Sequence, residues 1–124
     1  MLDIRENELE QRQMEMAKIL TTLRKQEQEL QEILDSQVKN SQEMEALYNF
    51  DALDIQQIEN HRVYGLKLIS DQANKERIIA NTRNLIKLKQ KEVNEAYKKV
   101  EVLKKLKQNQ EEKYQRVHLL PDFC

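Results

Sequence analysis

An all-α fold, a long two-helix antiparallel coiled-coil hairpin whose second helix overhangs the first, is what the sequence predicts, and three observations predict it. Of the 124 residues, 39% are hydrophobic and 5% aromatic, which is thin for a thick core but enough for a narrow seam. Charged residues make up 35% while Gly and Pro occur once each, a composition of long helices with few turns. The aliphatic residues, finally, recur by sevens. Intrinsic disorder is the competing reading of so charged a chain; the regular period and the near absence of helix breakers argue against it.

The first helix is expected over about residues 2–40. Leu2, Leu9, Met16, Leu23 and Leu30 are seven apart, with Ile19, Leu20, Ile33 and Leu34 filling the same stripe, the pattern of a coiled-coil seam. Between Val38 and Asp54 the stripe breaks. Asn40 and Ser41 are good helix caps, Asn40 with Glu43 forms a variant of the capping box, and Asn49 and Asp51 offer a second cap beside Phe50. The reversal is therefore placed within residues 40–51. A second helix follows, with Leu53, Ile55, Ile58, Leu66, Ile69 and Ala73 as its first stripe, weakened at Gly65 by up to about 1 kcal/mol. Ile79, Ile86, Val93 and Val100 then repeat by sevens, joined by Ala96 and Leu103. This helix is expected to last to about residue 117; Pro121 forbids continuation, leaving a tail at 118–124. The whole of 1–124 is one hairpin.

Two helices joined by a short turn pack antiparallel. With a turn near residue 45, position i meets about 90 − i, so Leu2 should lie near Leu88. Residues 89–117 then overhang, leaving Val93, Ala96, Tyr97, Val100, Leu103, Leu106, Tyr114 and Val117 uncovered for a partner. Pairing of two overhangs in a dimer is the alternative.

Charge is balanced overall, 21 basic against 22 acidic residues, which gives the chain no general attraction for nucleic acid or an anionic membrane. Its distribution is uneven. Residues 1–35 hold nine acidic and five basic side chains, and residues 83–107 nine basic and three acidic. If the arms lie together these charges complement each other; otherwise the basic arm is free for an acidic partner. Within the Lys87–Lys107 run, Glu92, Glu95 and Glu101 interrupt the lysines, so a solvated face is preferred to a nucleic-acid surface.

No enzyme signature is present. A single Gly excludes a phosphate-cradling loop, and one Cys with the separated His61 and His118 excludes zinc spacing. No cofactor, metal or catalytic residue is expected. The lone Cys124 cannot make an intrachain disulfide, the opening residues lack a signal-peptide core, and no run approaches a membrane span, so the default address is the cytoplasm. His61, beside Ile58 on a helix, reads first as a half-buried, locally bonded side chain and second as part of a recognition surface. Tyr48, Phe50 and Tyr64, near the turn, would close the hairpin tip or anchor a partner.

An amino terminus reading Leu2-Asp-Ile-Arg-Glu, a central Phe50 followed by Ile58-Glu-Asn-His-Arg62, and a late Lys99-Val-Glu-Val-Leu-Lys-Lys-Leu-Lys107 resemble, in order and spacing, the FliJ family of flagellar type III export proteins across nearly the whole chain. The resemblance implies a non-enzymatic stalk, monomeric when free, whose terminal end enters a hexameric flagellar export ATPase. It also implies contact with the cytoplasmic domain of the export-gate membrane protein, with export chaperones as further partners, and a place at the inner face of the cell membrane at the flagellar base. By the same resemblance Leu2, Ile4, Arg5 and Leu9, with Leu103, Lys104, Lys105, Leu106 and Lys107, would face the ATPase, and Ile33, Phe50 and His61 the gate. The sequence departs from the family at Ser36, Asn40, Asp54 and Gln57, where apolar or aromatic residues are usual, and in its Leu-Leu-Pro-Asp-Phe-Cys ending. A dimerising scaffold without an ATPase partner is the alternative function.

Overall fold

The computed structural model describes residues 1–49 and 54–119, with only the backbone of 117–119. Two helices, α1 (Leu2–Tyr48) and α2 (Ile55–Leu119), run antiparallel and pack against each other, and the fold is an all-α hairpin. The chain falls into two compact units: Met1–Lys18 with Ile86–Cys124, and Ile19–Leu85.

In both units the covered positions of α1 alternate by three and four. Leu2, Arg5, Leu9, Arg12 and Met16 form the series in the first unit, and Ile19, Leu23, Gln26, Leu30, Ile33, Gln37, Asn40, Met44 and Leu47 form it in the second. The expected end of helix 1 near residue 40 is thereby corrected. Asn40 is no cap: it holds a seam position, is 7% exposed, and spends its amide on α2. With the apolar Met44 and Leu47 carrying the seam onward, nothing stops the helix before Tyr48.

The reversal consequently falls between Tyr48 and Ile55, later than residues 40–51 for most of its length; Phe50–Leu53 lie outside the described residues. Neither Asn40 nor Asn49 caps α2. Asp54 does, its Oδ1 accepting the Gln57 N–H at 3.1 Å and its carbonyl accepting the first helical bond from Ile58 at 3.0 Å. A carboxylate there also meets the positive end of the helix.

The first stripe assigned to α2 is corrected as well. Ile58, His61, Gly65, Leu68, Gln72 and Lys75 face α1, whereas Ile55, Leu66 and Ile69 are 77%, 55% and 61% exposed. Apolar residues mark the wrong face here because the true seam is polar on both sides: Gln37 Nε2 donates to Gln72 Oε1 at 2.8 Å, Lys75 Nζ to Glu29 at 2.7 Å, and Thr82 Oγ1 to Gln26 at 2.7 Å. A seam position needs a partner that fills or satisfies it, and apolarity is only one way to do so.

The register shifts accordingly. Glu15 meets Lys89, Arg12 meets Glu92 and Glu29 meets Lys75, pairs whose residue numbers each add to 104, not the 90 of a turn at residue 45. Leu2 therefore does not lie near Leu88, and the uncovered stretch does not begin at 89. Ala96 and Val100, expected to be bare, are 4% and 2% exposed. The overhang begins after Leu103. α2 reaches Leu119, past the expected stop near 117, and the rest of the expected tail lies outside the described residues.

Candidate protein-binding surfaces

Two places in the fold carry more than seam packing, one in each unit. In the unit formed by Met1–Lys18 and Ile86–Cys124, the first turns of α1 lie against α2 around Leu103. Met1 and Arg5 with Lys98, Lys99, Val102 and Leu103 line an open groove of about 300 Å³. Of the residues that the resemblance assigns to an ATPase contact, Arg5 and Leu103 share this groove; Leu2 and Leu9 are half-covered along the seam, and Ile4 is 68% exposed. Arg5 is held by Glu8 one turn on, at 3.1 Å. Lys104, Lys105, Leu106 and Lys107 are exposed on the part of α2 that passes the start of α1.

The acidic and basic arms do complement each other, but only below this end. Lys89 Nζ sits 3.3 Å from Glu15 and 3.1 Å from Glu92, and Arg12 bridges Glu15 and Glu92 from α1. The hydrogen bond from Lys89, then that from Arg12, lowers the Glu15 pKa against a partial desolvation that opposes them, and the bonds to Glu92 and Glu15 raise that of Lys89. Both shifts favour the charged forms of Glu15 and Lys89. In the other unit the Lys75 ammonium likewise lowers Glu29, and Arg83 stands 3.8 Å from Glu27. Past Glu92 no further cross-helix ion pair forms among the described residues.

In the unit Ile19–Leu85, a polar layer crosses the seam. Asn40 Nδ2 donates to the His61 carbonyl at 2.9 Å, and Asn40 Oδ1 lies 2.7 Å from His61 Nδ1, which requires the proton on Nδ1. A carbonyl inside a helix is normally screened by the side chain four residues later. That residue is Gly65, where a Cβ would stand 3.2 Å from Asn40 Nδ2, so glycine opens the approach. His61 is half-buried as expected, but its bond crosses to α1 and is not local; Glu43 adds an oxygen at 3.9 Å.

Of the residues assigned to an export-gate contact, Ile33 and His61 are both half-covered in this unit, but one heptad separates Ile33 from Asn40, the partner of His61, so the two do not meet. Phe50 lies outside the described residues. Tyr48 and Tyr64 are 57% and 43% exposed. At the four positions where the sequence departs from the resemblance, Asn40 belongs to the polar layer and Asp54 caps α2, while the Gln57 side chain is exposed and Ser36 is half-covered on α1. The Asn40–His61–Gly65 layer was missed in the sequence because Asn40 reads as a cap; counting the three-four alternation through Leu30, Ile33 and Gln37 would have found it.

Among the described residues no three His, Cys, Asp or Glu side chains gather as metal ligands would, and no helix is long and apolar enough to cross a membrane. Compared with protein families, curated proteins and solved structures, the chain matches none.

Proposed function

We propose that the chain is a non-enzymatic stalk and adaptor of the flagellar type III export apparatus. The end formed by residues 1–9 and 98–107 engages the hexameric export ATPase, and the unit around His61 serves a second contact, at the export gate. One observation carries the reading: two segments nearly a chain length apart are folded together into a mixed apolar and basic end, from which α2 continues alone to Leu119. A helix that leaves its partner while still bearing exposed Leu106 and Tyr114 gains little from water, and it gains from a protein that covers it. An asymmetric insert in a ring of like subunits touches them unequally, so it promotes ring assembly or biases the hydrolysis cycle with no chemistry of its own. On this reading the protein works in the cytoplasm, peripheral to the membrane at the flagellar base.

The test is reconstitution with a flagellar export ATPase, reading hydrolysis rate and ring assembly. Ile4→Asp and Leu106→Asp, both at exposed positions, should reduce stimulation about tenfold and leave helix content unchanged; Leu103→Asp should do the same with some loss of stability. A native chain that neither binds nor stimulates the ATPase removes this function and leaves the dimerising scaffold.

A further inference from the structure

The lysines of α2 are not spread evenly around it. At about 100° per residue, Lys98, Lys99, Lys105, Lys113 and Arg116 fall within one arc of roughly 120°, and no carboxylate between residues 98 and 116 falls in that arc; Glu101, Glu111 and Glu112 lie outside it. Val102 and Leu106 occupy its middle, 57% and 51% exposed. All five cations are exposed, and among the described residues none has an ion-pair partner. That contrasts with Arg5, Arg12 and Lys89 of the same unit, each of which holds a carboxylate. The arc runs about 27 Å along the helix at 1.5 Å per residue, and the groove beside Met1 and Arg5 opens onto its first turns.

We infer that this arc is a docking face for an acidic amphipathic helix of a protein partner, whose aliphatic ridge covers Val102 and Leu106 while its carboxylates flank Lys98, Lys99 and Lys105. A straight stripe of unpaired cations along one helix face is complementary to a second helix carrying carboxylates at three-four spacing. An anionic membrane is the weaker candidate. A membrane-surface helix sinks bulky or aromatic groups into the interface, whereas here Tyr97 and Tyr114 point away from the arc by helical position and Val102 and Leu106 are its only large apolar side chains. The inference deepens the proposed function by giving the chemistry of the partner, and its test needs no ATPase, so either can fail alone.

The full-length chain is titrated with a synthetic peptide of about three heptads, with leucine on one face and glutamate on the flanks, with its lysine-for-glutamate counterpart, and with vesicles of phosphatidylserine and phosphatidylcholine. The acidic peptide should bind, more weakly as salt rises. Lys98→Glu with Lys99→Glu, and separately Lys105→Glu, should weaken it about tenfold, whereas Lys67→Glu, an exposed cation of α2 outside the arc, should change it less than about twofold. Circular dichroism checks that each variant keeps its helix content. Equal binding of both peptides, an equal effect at Lys67 and Lys105, no binding of the acidic peptide, or capture by vesicles in its place would each overturn the inference.

Discussion

A single amide decides how the middle of the hairpin is built. Asn40 satisfies both the carbonyl and the ring of His61 in a space that exists because position 65 has no side chain. The three residues therefore form a coupled unit whose members should not behave additively. Removing the amide by Asn40→Ala should destabilise the fold by about 1–2 kcal/mol, the cost of a lost bond and a half-buried imidazole left without its partner. Gly65→Ala is the more telling change. Helix propensity favours alanine by about 1 kcal/mol, yet in the native background the new methyl presses on Asn40 and should cancel that gain or reverse it. With Asn40→Ala already present, the same substitution should stabilise by close to 1 kcal/mol. Urea unfolding of the four chains measures the coupling, and equal effects of Gly65→Ala in both backgrounds would show that the layer is not a unit. In the sequence this layer is legible only through register, because Asn serves both as a cap and in coiled-coil seams and the three-four count alone distinguishes the two roles.

At the scale of the helix, what could be read depended on how apolar each seam is. Leu2 to Leu34 and Ile79 to Leu103 repeat aliphatics by sevens, and both stretches lie on the helices that this period predicts. Between them the seam is built from Gln37–Gln72 and Asn40–His61, so the apolar pattern follows Leu66 and Ile69 onto a solvent-facing stripe. A turn inferred from that stripe comes too early, and the register and the start of the overhang shift with it. The α2 cap is hidden for a related reason: Asn49 and Asp51 compete with Asp54 as caps, and sequence ranks all three alike. Asp54→Ala should cost about 1 kcal/mol, seen first as faster amide exchange at Gln57 and Ile58.

The cross-helix ion pairs give the fold a pH dependence with a definite sign. Lys89 and Lys75 hold Glu15 and Glu29 below the ordinary carboxylate range. Their contribution is present above that range and is lost as the pH falls through the lowered values. Lys89, raised by Glu92 and Glu15, contributes below the ordinary lysine range and loses its part as the pH rises through its own value. Thermal melts should therefore show a plateau around neutrality and a decline below about pH 4. Lys89→Met should flatten the acidic limb, and an acidic limb unchanged by that substitution would show that Glu15 owes its low pKa to something else.

For the molecule as a whole, stability should grade along α2 within the unit that holds its carboxyl end. Val100 is 2% exposed against α1, and its neighbours can exchange only when the two helices part. Residues 104–119 have no α1 to open from, and an isolated helix of about 16 residues is marginal in water. Hydrogen exchange of the free chain should accordingly be slowest around Ala96 and Val100 and should rise steeply past Leu103, by a factor on the order of a hundred or more. The same measurement separates the stalk from the scaffold. A stalk waiting for its ring is a monomer of 14.9 kDa with an unprotected overhang, and protection of 104–119 appears only when the ATPase or an acidic helix is added. In a dimer zipped through its overhangs, that segment is protected already, in proportion to chain concentration. Protection at micromolar concentration that fades on dilution would assign the bare end of α2 to a second copy of this chain and withdraw it from the ATPase.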